Sequence, residues 1–87
     1  MATIFLLMAR YQGLPVIPVE LVCRDFFQHL SPQKFVQKVE RGDLAIPLVR
    51  IEASQKAAKG VHLNDLAAYL DQQHAAAVKE CQQLNGR

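Results

Sequence analysis

A mainly helical fold with a small β-hairpin, of the winged helix-turn-helix type, is predicted for this 87-residue chain by three observations. Two short amphipathic stretches meet at Ser31-Pro32, a strong signal for a helix start. Two runs rich in apolar and β-branched residues then flank a polar loop at about residues 52–60. A stripe of apolar residues at helical spacing closes the chain from Asn64 to about Leu84.

Each element has a local reason. Thr3 is placed to cap a first helix that runs to about Gln12 and stops at Gly13. Ile4, Phe5, Leu7, Met8 and Tyr11 cover most of its circumference, which predicts a buried helix. Pro15 and Pro18 mark an extended entry, and Pro18 also suits the first turn of a second helix, to about Gln28. There Val19, Val22, Cys23, Phe26 and Phe27 make an apolar stripe. His29 and Leu30 form a short turn. Ser31 then serves as N-cap and Pro32 as the first helical residue of a third helix ending near Arg41, with Gly42 just beyond. Two helices joined by so short a turn make a corner of helix-turn-helix type over about 18–41. Leu44 to Ile51 reads as a strand that Pro47 confines to an edge or kinks. Val61 to Leu63 is its partner, so the hairpin occupies about 44–63. Asn64 caps the last helix.

A single domain over residues 1–87 is expected. A domain of this size buries only about 60–65% of its unfolded surface. That allows one modest core, and hardly a deep catalytic cleft besides. Apolar content of 51% excludes wholesale disorder. Ile4 to Ala9 is apolar, but it lacks a basic leader region and falls far short of the ~18 residues that span a bilayer. It reads as a core helix. No membrane association is expected, and the expected location is the cytoplasm. Cys23 and Cys81 form neither a disulfide framework nor a zinc pattern, and both read as buried, reduced thiols.

The net charge is only +2, so its distribution matters more than its sum. Between Gln33 and Lys59 stand Lys34, Lys38, Arg41, Arg50, Lys56 and Lys59 against Glu40, Asp43 and Glu52. The rest of the chain is slightly acidic. At about 100° per residue, Gln33, Lys34, Gln37, Lys38 and Arg41 fall within one arc of about 140° on the third helix. Phe35, Val36 and Val39 take the opposite side, and Glu40 stands at the edge of the arc.

That arc has the chemistry of a helix that enters a major groove. Gln pairs bidentately with adenine, Arg or Lys with guanine, and Lys with phosphate. The Ser31 end offers backbone N–H groups that suit a phosphate. The plain alternative is a solvated amphipathic helix, and the hairpin that follows weighs against it. Arg50 on the first strand and Ser54, Gln55, Lys56 and Lys59 in the polar loop then form a basic wing on the DNA backbone.

The last helix carries Leu66, Leu70, Ala77, Cys81 and Leu84 on one narrow stripe. At 1.5 Å per residue it spans about 30 Å, more than so small a body covers. Leu70, Ala77, Cys81 and Leu84 are therefore expected at a dimer interface. The alternative is that the segment folds back or frays. Catalysis is not expected. His29, His62 and His74 are scattered, no residues stand at metal-ligand spacing, and Lys59-Gly60 is too short for a phosphate loop. No cofactor or metal is expected.

The stretches TIFLLMARYQG, VIPVELVCRDFFQHLSPQKF, IPLVRIEASQKAAKGVHLNDLAAYLD and KECQQLN resemble the pyocin activator protein PrtN family over nearly the whole chain. The most specific parts are Thr3–Tyr11 and Leu48–Tyr69. A weaker likeness, at the level of fold, is to phage excisionases and MerR-type domains. The resemblance implies a bacterial, nucleoid-associated transcriptional activator that acts at short repeated promoter elements of pyocin clusters and related prophages.

The expected partners are thus double-stranded promoter DNA, RNA polymerase and a second copy, or several copies on the DNA. Glu20, Asp25 and the last helix are candidate polymerase contacts. Two other readings use the same domain. One is an architectural, excisionase-like factor or a repressor without activation. The other is a protein-interaction module.

Overall fold

The computed structural model describes residues 2–53 and 58–86. Among these the chain forms α1 (Thr3–Arg10), β1 (Val16–Pro18), α2 (Val19–Phe26), α3 (Pro32–Glu40), β2 (Val49–Arg50), β3 (Lys59–His62) and α4 (Leu63–Asn85). The result is mainly helical, with a small antiparallel sheet and a long C-terminal helix, as the sequence predicts.

The corner between α2 and α3 forms for the expected reasons. Ser31 Oγ accepts the backbone N–H of Lys34 at 3.2 Å. Pro32 occupies a position whose N–H would have no helical partner. At the far end Gly42 takes φ +81°, where a glycine has no Cβ to clash. Its N–H reaches the carbonyl of Val39 at 3.0 Å, and that of Asp43 reaches Lys38 at 2.8 Å. These two bonds satisfy carbonyls that a helix end otherwise leaves open.

The first helix departs from expectation at both ends. Its N-cap is Ala2, without a side-chain cap. Thr3 lies inside the helix, and its hydroxyl donates to Asp71 Oδ1 at 2.5 Å. At the C-terminus Gln12 takes the left-handed conformation, with φ 54°. The Gly13 N–H then returns to Met8 at 2.8 Å. The helix therefore stops at Arg10 rather than Gln12. The remaining helices differ by small amounts: α2 ends at Phe26, and the cap of α4 is His62, not Asn64. His62 Nδ1 accepts the Asn64 N–H at 3.1 Å.

The sheet has three strands in the order β1-β3-β2, where the sequence suggests a two-stranded hairpin. Val16 to Pro18, expected only as an extended entry, pairs with β3 in the register Val16–His62, Ile17–Val61 and Pro18–Gly60. Pro18 is tolerated because β1 is an edge strand. On the other side Val49 opposes Gly60 and Arg50 opposes Lys59. The strand expected over Leu44 to Ile51 shrinks to these two residues. Pro47 has no N–H for a ladder, and Ile46 turns into the core instead. β3 begins two residues earlier than expected, which puts Lys59 within a strand.

One core joins these elements. Ile17, Val22, Phe35, Val61 and Leu66 are fully buried at its centre. The Phe27 ring lies 4.9 Å from Phe35 and 5.7 Å from Tyr69, in tilted contacts that link the corner to α4. Two expectations of burial fail. Only Leu7 of α1 is buried, with Tyr11 just beyond its end, while Phe5, Leu6 and Met8 are exposed. A helix that packs on one side of a small body has no neighbour for its outer face. Cys23 is buried as expected, but Cys81 is exposed, because α4 leaves the body. Every described residue of α4 from Asp71 onward is exposed. The molecule is accordingly elongated, 53 × 29 × 20 Å.

Candidate nucleic-acid interface

The outward face of α3 is set by what its inward face must bury. Phe35 is fully buried, with Val36 and Val39 packed partly against the core. At helical spacing this turns Gln33, Lys34, Gln37 and Arg41 to solvent and leaves Lys38 half-exposed.

The face divides into two rows. Lys34, Lys38 and Arg41 recur at i, i+4 and i+7 on the flank away from the sheet. Gln33, Gln37 and Glu40 recur at the same spacing on the other flank. This second row lines an open groove whose far wall includes Ala58 and Lys59, with Glu20 of α2 at its end. Glu40 was expected at the edge of this face, but Glu20 was not expected beside it. The signal for Glu40 lay in its i+7 spacing from Gln33. Glu20 had none, since its place depends on how α2 meets β3.

Ion pairs tune the cations. Arg41 bonds Asp43 at 3.0 Å, and both side chains are more than half exposed. Arg50 Nη2 lies 3.9 Å from Glu40 Oε2. This long contact links β2 to the last residue of α3. Both pairs are open to water, where such contacts contribute about 0–1 kcal/mol. Lys59 is half-buried in β3, beside Arg50 across the strand pair. Ser54, Gln55 and Lys56 lie outside the described residues.

Of the acids suggested for protein contacts, Glu20 is exposed but Asp25 is not available. The Asp25 carboxylate accepts from the Tyr11 hydroxyl at 2.6 Å and from the guanidinium groups of Arg10 and Arg24, each at 3.0 Å. The Arg24 bond, then the Tyr11 bond, hold its carboxyl well below the usual carboxylate range. Burial first, and the bond to Asp25 second, push the Tyr11 phenol up to about 12. This cluster fastens α1 to α2.

His29 and His74 are exposed and His62 is half-buried. Among the described residues no group of three His, Cys, Asp or Glu side chains could hold a metal ion. No helix among them is long and apolar enough to cross a membrane.

The family model described as pyocin activator protein PrtN aligns with residues 3–77. No curated protein and no solved structure matches the chain.

Proposed function

The chain belongs to the pyocin activator protein PrtN family, and on that premise we propose that it is a sequence-specific, double-stranded DNA-binding transcriptional activator with the corner, α3 and hairpin acting as a winged helix-turn-helix. The family points to an activator's role. The observation that carries the DNA reading is the solvent face of α3, where Gln33 and Gln37 run beside Lys34, Lys38 and Arg41. In this reading α3 lies in the major groove, with amides and Arg41 at base edges and the lysines at phosphates. Arg50 and Lys59, with Ser54, Gln55 and Lys56 between them, hold the backbone beside it. Promoter elements of a pyocin or prophage operon are the proposed targets, and RNA polymerase the proposed partner in activation.

A gel shift on promoter DNA tests this. The double variant Lys38→Ala/Arg41→Ala should lose the specific shift while keeping its circular dichroism, since both side chains project from the core. Binding equal to wild type would remove α3 from the interface. A reporter assay then separates activation from an architectural or repressing role: bent DNA without a rise in transcript would favour the latter. No duplex binding at about 50 mM salt, where phosphate contacts are strong, would favour a protein-interaction module.

A further inference from the structure

The helical seam that α4 buries in its first half continues, uncovered, through its second half. Leu63, Ala67 and Leu70 lie against the chain's own body. The alternating 4 and 3 spacing then runs on through His74, Ala77, Cys81 and Leu84, the repeat of a two-helix seam. All four are exposed. The body stops covering this seam at a defined level. There Thr3, at the start of α1, bonds Asp71, and Leu6 and Leu7 line one hollow with Leu70.

We propose that residues 72–85 of α4 pair antiparallel with the same segment of a second copy of this chain. The geometry favours this occupant in three ways. A parallel partner would bring its own body against α1, which already lies along the base of the seam. An antiparallel partner avoids that collision, because its body stands beyond the tip. Next, the layers match in size when Ala77 faces Cys81 of the other copy and His74 faces Leu84, each pairing a smaller with a larger group or a ring with a branched chain. Finally, α4 of the partner would end where α1 begins. The helix start at Ala2 has no side-chain cap, so the two helix dipoles would run head to tail.

The seam also sets the strength of the pairing. Fourteen residues extend about 21 Å, on a helix about 10 Å wide. Two such faces bury well under the ~800 Å² per partner of a standard interface. The pair is therefore a concentration-dependent dimer, which adjacent DNA sites would favour by raising the local concentration. This pairing gives the expected helix-mediated dimer an orientation. It adds His74 to the contact and leaves Leu70 to the chain's own core.

Sedimentation equilibrium of the full chain without DNA tests the association independently of any operator. Wild type should show a monomer–dimer equilibrium in the micromolar range. Ala77→Asp/Leu84→Asp should weaken it at least tenfold with helicity of the body retained. A monomer at every concentration up to about 1 mM, or a double variant that associates as wild type, would overturn the proposal. Mild oxidation of a mixture tests the orientation. A chain carrying Ala77→Cys/Cys81→Ala, made heavier by a tag, is mixed with wild type. Antiparallel pairing gives mainly the mixed disulfide between position 77 and Cys81. A predominance of Cys81–Cys81 dimers would show a parallel seam and overturn it.

Discussion

The hydroxyl of Tyr11 donates to the carboxylate of Asp25 at 2.6 Å, joining the end of α1 to the last turn of α2. Tyr11 is itself part of the core, so one side chain serves both packing and polarity. Tyr11→Phe keeps the ring and removes the bond, and should cost about 1.5 kcal/mol in urea unfolding. Asp25 keeps its two arginines, which is why the loss should not be larger. An unchanged midpoint would mean that the bond adds nothing net.

The same pair gives the fold a pH dependence with a defined sign. The folded pKa of Asp25 is depressed, so its contribution is present above the unfolded value of about 3.9. It is lost as pH falls through the lower folded value. Tyr11 is shifted upward, so its contribution is complete below about pH 10 and is lost as pH rises toward about 12. Thermal melts of wild type and Asp25→Asn should therefore differ most between about pH 5 and 9 and begin to converge only as the pH falls below about 4. A constant difference across that acid range would detach Asp25 from the acid response.

Gly60 is the pinch point of the sheet. It pairs with both neighbouring strands, and a Cβ there would lie 2.6 Å from Val16 Cγ1 and 2.8 Å from the carbonyl oxygen of Ile17. Val16 could turn aside, but the backbone oxygen cannot without breaking the ladder. Gly60→Ala should destabilise by about 1–3 kcal/mol. A midpoint within error of wild type would show that β1 can move away from β3.

Phe35 anchors the proposed reading helix by its only buried side chain. Phe35→Ala should cost about 3–5 kcal/mol. In a domain this small that is a large part of the total stability. Loss of near-ultraviolet signal together with a lowered midpoint is the expected result, and retained cooperativity at wild-type stability would contradict the central place given to Phe35.

The two rows of α3 should behave differently on DNA. Lys34→Ala should weaken binding about equally on all sequences and reduce the slope of log K against log salt by about 0.9. Gln37→Ala should leave that slope unchanged and relax discrimination at one base pair by about 1–3 kcal/mol. Titrations at several salt concentrations on two operator variants distinguish the rows. If both variants change only the slope, the helix holds the backbone and does not read bases.

Where a signal was local, the sequence revealed it. Ser31, Pro32 and Gly42 fix the ends of α3 by rules that involve only a few neighbours. The split into Phe35 and Val39 on one side and Gln33, Lys34 and Gln37 on the other follows from helix geometry alone. What escaped depends on residues far apart in the chain. Val16–Pro18 is too short and too proline-rich to announce a strand, and it becomes one only because Val61 lies beside it. Phe5 and Met8 are as apolar as Leu7, and no periodicity says which side a small body will cover. The same limit hid Glu20, which faces the groove only through tertiary packing.

His62 closes β3 and also caps α4, so not one residue of loop separates the strand from the helix. The joint has no slack. Inserting one residue between His62 and Leu63 would turn everything after it by about 100° and advance it by about 1.5 Å. The core residues Leu66 and Ala67 would then point elsewhere, and so would the uncovered seam. Length at this joint is thus constrained more tightly than residue type, and the aim of the protruding helix is inherited from the sheet.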